Sequence, residues 1–115
     1  MVTKTDTQEK ILDAVVERLV AALNPARIFL FGSRARDNAQ PDSDYDFLVV
    51  LNHRPSHEDH ARAYRSLSGL PIAKDIVLAG MDWFHARIDV VSSLPATVLR
   101  EGRLLYDSGT DTGNT

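Results

Sequence analysis

The 115-residue sequence contains no cysteine, which excludes disulfides, thiolate-bound zinc and cysteine nucleophiles. It also has no long apolar segment: the longest uninterrupted aliphatic and aromatic run is 47–51, far short of the roughly 20 residues that cross a bilayer. The first ten residues lack the apolar centre of a signal peptide. Positive charge is not in excess, since Lys+Arg 13 against Asp+Glu 16 leaves a net charge of −3. We therefore expect a cytoplasmic protein in which phosphate binding depends on a local site and not on overall charge.

Apolar and turn-forming residues predict helices and strands in the order α-β-β-α-β-α-β. Apolar residues that recur at i, i+3, i+4 and i+7 predict an amphipathic first helix over 6–24. Two later helices, over 56–70 and 94–101, are predicted from the cap residues Ser56 and Ser93. Short apolar runs predict four strands, the last at a sheet edge, over 27–31, 44–51, 73–79 and 104–106.

These elements predict an α/β or α+β fold in which helices cover a small mixed β-sheet. The predicted domain spans 1–107, and the polar tail over 108–115 is expected to be disordered. The segment 83–88 is expected to form a short helix or a covering loop. On the second helix, the spacing places Ala61, Tyr64 and Leu67 or Leu70 toward the core.

Acidic residues occupy strand positions where apolar residues are expected. Asp44 and Asp46 lie two residues apart at the start of the second strand, so their side chains share one face, roughly 7 Å apart. Asp75 lies within the third strand and converges on this pair if the two strands are neighbours. Carboxylates about 5 Å apart repel by on the order of 3 kcal/mol at an effective dielectric constant near 20. The cluster therefore favours bound cations, and its oxygen ligands suit two Mg²⁺ ions.

Each part of this pattern also has a structural explanation. Asp44 and Asp46 alone fit a turn at a strand start equally well, whereas Asp75 inside a strand is harder to explain because an unpaired buried carboxylate is costly. Gly32 and Ser33 alone fit a simple strand-to-loop turn. Next to the acids, however, this strand–glycine–helical turn junction presents backbone N–H groups suited to a phosphate. Ser33 adds a hydroxyl donor, and Arg34 or Arg36 adds positive charge.

The combined motif resembles a known family. Gly32-Ser33, ten intervening residues and then Asp44-x-Asp46 resemble the signature of the minimal nucleotidyltransferases (MNT domains) in the DNA polymerase β-like superfamily. The segments FLFGSRAR and SDYDFLVV match this pattern, and Asp75 in AKDIVLA fits the third catalytic aspartate of the family. The resemblance covers 10–107, and small stand-alone members are MntA-type antitoxins encoded with HEPN-domain ribonuclease toxins.

The resemblance implies the polymerase β-like nucleotidyltransferase fold and Mg²⁺-dependent transfer of AMP from ATP, with release of pyrophosphate. By the same resemblance, Asp44 and Asp46 would bind both metal ions, and Asp75 would bind one and activate the acceptor hydroxyl. Gly32 and Ser33 would hold the β- and γ-phosphates. The implied acceptor is a tyrosine of a HEPN toxin, which makes the chain an antitoxin and its partner part of a hetero-oligomer.

Two other functions stay open at this point. The chain could neutralise a toxin by binding it, without any nucleotide chemistry. It could also modify a small molecule, although nucleotidyltransferases of that kind generally carry an additional domain that holds the acceptor.

Overall fold

The computed structural model describes residues 4–36, 39–40 and 43–109, in which helices and strands follow one another in the predicted order apart from one added helix. The elements are α1 (Lys4–Leu23), β1 (Arg27–Phe31), β2 (Tyr45–Leu51), α2 (His57–Ser66), β3 (Lys74–Gly80), α3 (Met81–Arg87), α4 (Leu94–Glu101) and β4 (Arg103–Asp107). None of the helices in this part of the chain combines the length and apolar character needed to cross a membrane.

The four strands form one sheet in the order β3-β2-β1-β4. β1 pairs antiparallel with both β2 and β4, whereas β2 and β3 are parallel. The parallel pair requires a crossover connection, and α2 supplies it. The prediction of a mixed sheet with helices in an α+β fold is therefore confirmed, as is the position of β4 at a sheet edge.

Both faces of the sheet are covered, and β2 is the more buried of its two inner strands. Tyr45, Phe47 and Val49 pack with α1 and α2 on one face, while Leu48 and Val50 pack with α3 and α4 on the other. Every residue of β2 is buried except Asp46, which is half-buried. A single polar position in an otherwise apolar strand thus lies at one end of the sheet.

Several boundaries differ from the prediction. α1 starts at Lys4 and ends at Leu23, after which Asn24 takes a left-handed conformation (φ 48°) before Pro25. β3 extends to Gly80, and the residues around 83–88 form α3 from Met81. Of the tail predicted to be disordered, 110–115 lie outside the described residues.

The second helix is shorter and rotated relative to the prediction. Its capping box is present, with Ser56 and Asp59 exchanging hydrogen bonds, but α2 ends at Ser66. Ala63 and Leu67 are buried, whereas Tyr64 is 39% exposed, so the expectation that Tyr64 faces the core is wrong. The reason is the helical phase: a core contact through Ala63 and Leu67 turns the next residue about 100° away.

Candidate active site

The ends of three strands meet at one end of the sheet. In the strand register, Phe31 at the end of β1 is opposite Asp46, and Asp46 is opposite Asp75. Neighbouring strands lie about 4.8 Å apart, and residues opposite each other in a sheet project to the same face. The predicted convergence of Asp46 and Asp75 is therefore confirmed, and Asp44 lies immediately before β2.

Electrostatics identify the half-buried Asp46 as the central carboxylate of this group. Burial raises the pKa of Asp46 above its ordinary value, and the charges of Asp75 and Asp44 raise it further, while Arg36 opposes them. Asp44 and Asp75 are exposed. Hard divalent cations bind oxygen ligands of this kind, and a cation would relieve the repulsion that the Asp46 pKa reflects. The three carboxylates lie near one another, but the described residues contain no group of three side chains arranged to bind one metal ion.

Gly32 connects the glycine-serine motif to the aspartates by direct contact. It follows β1 with a φ of 77°, in the left-handed region that favours glycine. A Cβ at this position would collide with the Asp46 carboxylate. The backbone N–H groups of Ala35 and Arg36 both donate to the Gly32 carbonyl, at 3.1 and 3.2 Å, which confirms the predicted helical turn. The half-buried Ser33 begins that turn.

Arg34 contacts the segment before β2 and the face of the sheet opposite Asp46. Its Nε and Nη2 donate to the Ser43 carbonyl at 3.2 and 2.9 Å, and its Nη1 donates to Gln8 at 3.4 Å. The guanidinium also lies 4.2 Å from the centre of the Tyr45 ring. Tyr45 packs on the α1 face of the sheet, so these contacts lie on the face opposite Asp46.

Arg36, in contrast, lies with the carboxylates. Its charge lowers the pKa of Asp46, and its Nη1 is 3.9 Å from Glu101 in an exposed ion pair. Of the two arginines predicted to support phosphate binding, the structure thus places Arg36 beside the acidic group.

Tyr64 lies beside the aspartates although no sequence pattern predicted it there. Its hydroxyl accepts a hydrogen bond from the Ile76 backbone N–H at 3.0 Å and lies 3.4 Å from Oδ1 of Asp75. No local pattern links Tyr64 to Asp75, because the two residues come from different elements. The burial of Ala63 and Leu67 defines the face of α2 that packs on the core, and this helical phase is the signal that could have predicted an exposed Tyr64.

A cleft of about 660 Å³ lies toward the C-terminal end of β3, between the loop after β2 and the start of α3, and Asp75 is at the other end of the strand. Val77 and Ala79 line it and project to the same face as Asp75, since they follow it at intervals of two. The half-exposed Trp83 of α3 is also part of its wall. The volume is in the ordinary range for small-molecule sites.

Comparisons with known proteins agree with this geometry. A family model described as "Nucleotidyltransferase domain" matches residues 9–98. No curated protein matches the sequence.

Several solved structures are similar. One is a toxin–antitoxin with AMP-PNP, with 19% identity, coverage of 87% of this chain and 76% of the other, and a TM-score of 0.63. Another is a mutant MntA–HpeT toxin–antitoxin, with 17% identity, coverage of 87% of this chain and 76% of the other, and a TM-score of 0.62. A third is a tri-AMPylated Shewanella oneidensis HEPN toxin in complex with MNT antitoxin, with 18% identity, coverage of 88% of this chain and 73% of the other, and a TM-score of 0.58. Identities this low show a shared fold.

Proposed function

Because the chain belongs to the nucleotidyltransferase domain family, we propose that it transfers AMP from ATP to a hydroxyl group of a HEPN-domain partner and thereby acts as an antitoxin. The observation that carries the proposal is the Asp46–Asp75 pair, which lies in register beside the Gly32 turn. Support for the partner comes from the similar structures, which are toxin–antitoxin complexes, one with AMP-PNP and one with a tri-AMPylated HEPN toxin.

Two parts of the site would hold the nucleotide. The Gly32 turn, with the backbone N–H and the hydroxyl of Ser33, would receive the β- and γ-phosphates. Asp44, Asp46 and Asp75 would hold two Mg²⁺ ions, which would neutralise phosphate charge and favour ionisation of the acceptor hydroxyl.

In this proposal the acceptor would approach from one particular side of the site. Phosphoryl-type transfer places the attacking oxygen and the leaving oxygen roughly in line, on opposite sides of the phosphorus. If the terminal phosphates lie at Gly32, the acceptor approaches from the side of β3, where Asp75 lies. Asp75 is then the carboxylate positioned to take the proton of the acceptor hydroxyl.

The direct test is transfer of label from α-³²P-ATP, in the presence of Mg²⁺, to the product of the neighbouring gene as the proposed HEPN-domain partner. The Asp44→Asn/Asp46→Asn double variant should abolish labelling without loss of stability, because ionised Asp46 is disfavoured in the folded protein. The matched control is Asp13→Asn/Asp89→Asn, which changes two exposed aspartates away from the site.

The outcome separates catalysis from simple binding. Labelling that persists in the Asp44/Asp46 double variant would remove these residues from the proposed mechanism. If the same variant still protects cells from the toxin at equal expression, the antitoxin acts by occupying its partner and not by transferring AMP.

A further inference from the structure

The hydroxyl of Tyr64 lies against the candidate active site of its own chain. It is 3.4 Å from Oδ1 of Asp75 and accepts a hydrogen bond from Ile76 N–H at 3.0 Å. Tyr64 is 39% exposed, and its ring stacks on that of His60 with 6.2 Å between the ring centroids. These contacts hold a solvent-accessible phenol at the outer edge of β3, beside the third aspartate.

This location is on the acceptor side of the site. β3 is an edge strand, with Asp46 and then Gly32 on its inner side. A nucleotide whose terminal phosphates lie at Gly32 therefore presents its α-phosphorus to groups that approach from β3. A general base must lie within hydrogen-bond reach of the proton that it takes, and such contacts are often long before substrate binds. The Tyr64 hydroxyl and the Asp75 carboxylate meet this condition.

We propose that Tyr64 is a self-modification site, at which the chain attaches AMP to its own phenol. The Tyr64 oxygen attacks the α-phosphorus of ATP and forms a new P–O bond. The bond between that phosphorus and the oxygen bridging to the β-phosphate breaks, and pyrophosphate leaves. Asp75 takes the phenolic proton. The inference rests on the proposed function, because it uses the same nucleotide and the same aspartates.

Tyr106 provides a matched control within the same chain. It lies on β4 at the opposite edge of the sheet, so three strand spacings of about 4.8 Å separate it from β3. It is half-buried and does not adjoin the aspartates. A Tyr106→Phe change removes one phenol, as Tyr64→Phe does, without altering the site.

The experiment is intact-mass and tandem mass spectrometry of the full chain after incubation with ATP and Mg²⁺, without a partner. We expect one AMP increment, located on Tyr64, at a rate per molecule that does not depend on protein concentration. Tyr64→Phe and the Asp44→Asn/Asp46→Asn variant should lose the increment, and Tyr106→Phe should keep it. Partner labelling is measured in parallel, and thermal unfolding checks that each variant is folded.

The outcomes distinguish this inference from the proposed function. An unmodified chain that still labels its partner overturns self-modification and leaves the proposed function standing, as does AMP located on any residue other than Tyr64. A rate that rises with protein concentration overturns the intramolecular step. Absence of both self-labelling and partner labelling contradicts the proposed function as well. If Tyr64→Phe does not fold, the location of AMP in the unaltered chain still decides the matter.

Discussion

Replacement of Gly32 by alanine tests the contact between the glycine turn and the central aspartate. The change has two consequences, because Gly32 has a φ of 77° and its new Cβ would collide with the Asp46 carboxylate. An L-residue in the left-handed region costs roughly 1–2 kcal/mol. Loss of glycine flexibility in the unfolded chain offsets about 0.4–1 kcal/mol of this. The net loss of unfolding free energy is therefore about 1 kcal/mol.

The collision affects activity more than stability. The carboxylate is the far end of a side chain and can rotate away, but it must move on the order of 1 Å to reach ordinary van der Waals separation. A displacement of about 1 Å at reacting groups can reduce a rate about 100-fold. We therefore expect Gly32→Ala to lower AMP transfer about 100-fold while the protein stays folded.

Gly69→Ala is the matched control for this experiment. Gly69 has a φ of 92°, but a Cβ there meets nothing within 4 Å. Both variants should lose about 1 kcal/mol, or about 4 °C in Tm, by thermal unfolding. Only Gly32→Ala should lose activity, measured as pyrophosphate release at saturating ATP and Mg²⁺. Equal activities in the two variants would refute the reasoning that Gly32 is needed to leave room for Asp46.

Two further predictions concern the capping box of α2 and the two arginines. The backbone N–H of Ser56 lowers the pKa of Asp59, with a smaller contribution from His53, so we expect Asp59→Asn to lower the urea-unfolding free energy by about 1 kcal/mol at neutral pH. Because this pKa is lowered, the stabilisation is complete above the ordinary value of 3.8 and disappears as the pH falls through the folded-state pKa. Arg34→Ala should lower stability by about 1–2 kcal/mol, since it removes contacts with the loop and an aromatic ring. Arg36→Ala should change stability little but lower the transfer rate about tenfold, since its charge acts on the acidic group.

The controls use neighbouring residues. Glu58→Gln changes an exposed acid in the same helical turn as Asp59 and should leave the cap intact. A loss in Asp59→Asn that persists unchanged in acid would indicate altered packing and not a lost charge. The two arginine variants control each other, and a larger loss of activity in Arg34→Ala than in Arg36→Ala, at matched stability, would contradict the assignment of their roles.

Much of the fold follows from local pattern. The burial of β1 and β2 is evident from apolar runs at 27–31 and 47–51, and the cap at Ser56 is visible from its spacing to Asp59. Such features depend on a few consecutive residues, so the period of side chains along a strand or helix is enough to predict them. The predicted helix ends were less accurate, because packing against the core decides the residue at which α2 ends.

The sequence by itself predicted that Asp44 and Asp46 share a face near a glycine turn, because a strand has a period of two. Only the tertiary structure decided which side chains meet there. The register of β2 against β3 sets Asp46 beside Asp75, and the close approach of Gly32 to Asp46 leaves no room for a side chain at the glycine unless the Asp46 carboxylate moves. The orientation of α2 about its axis places Tyr64, which was expected in the core, next to Asp75. Strand register and helix rotation are set by packing between distant segments, and no local period contains that information.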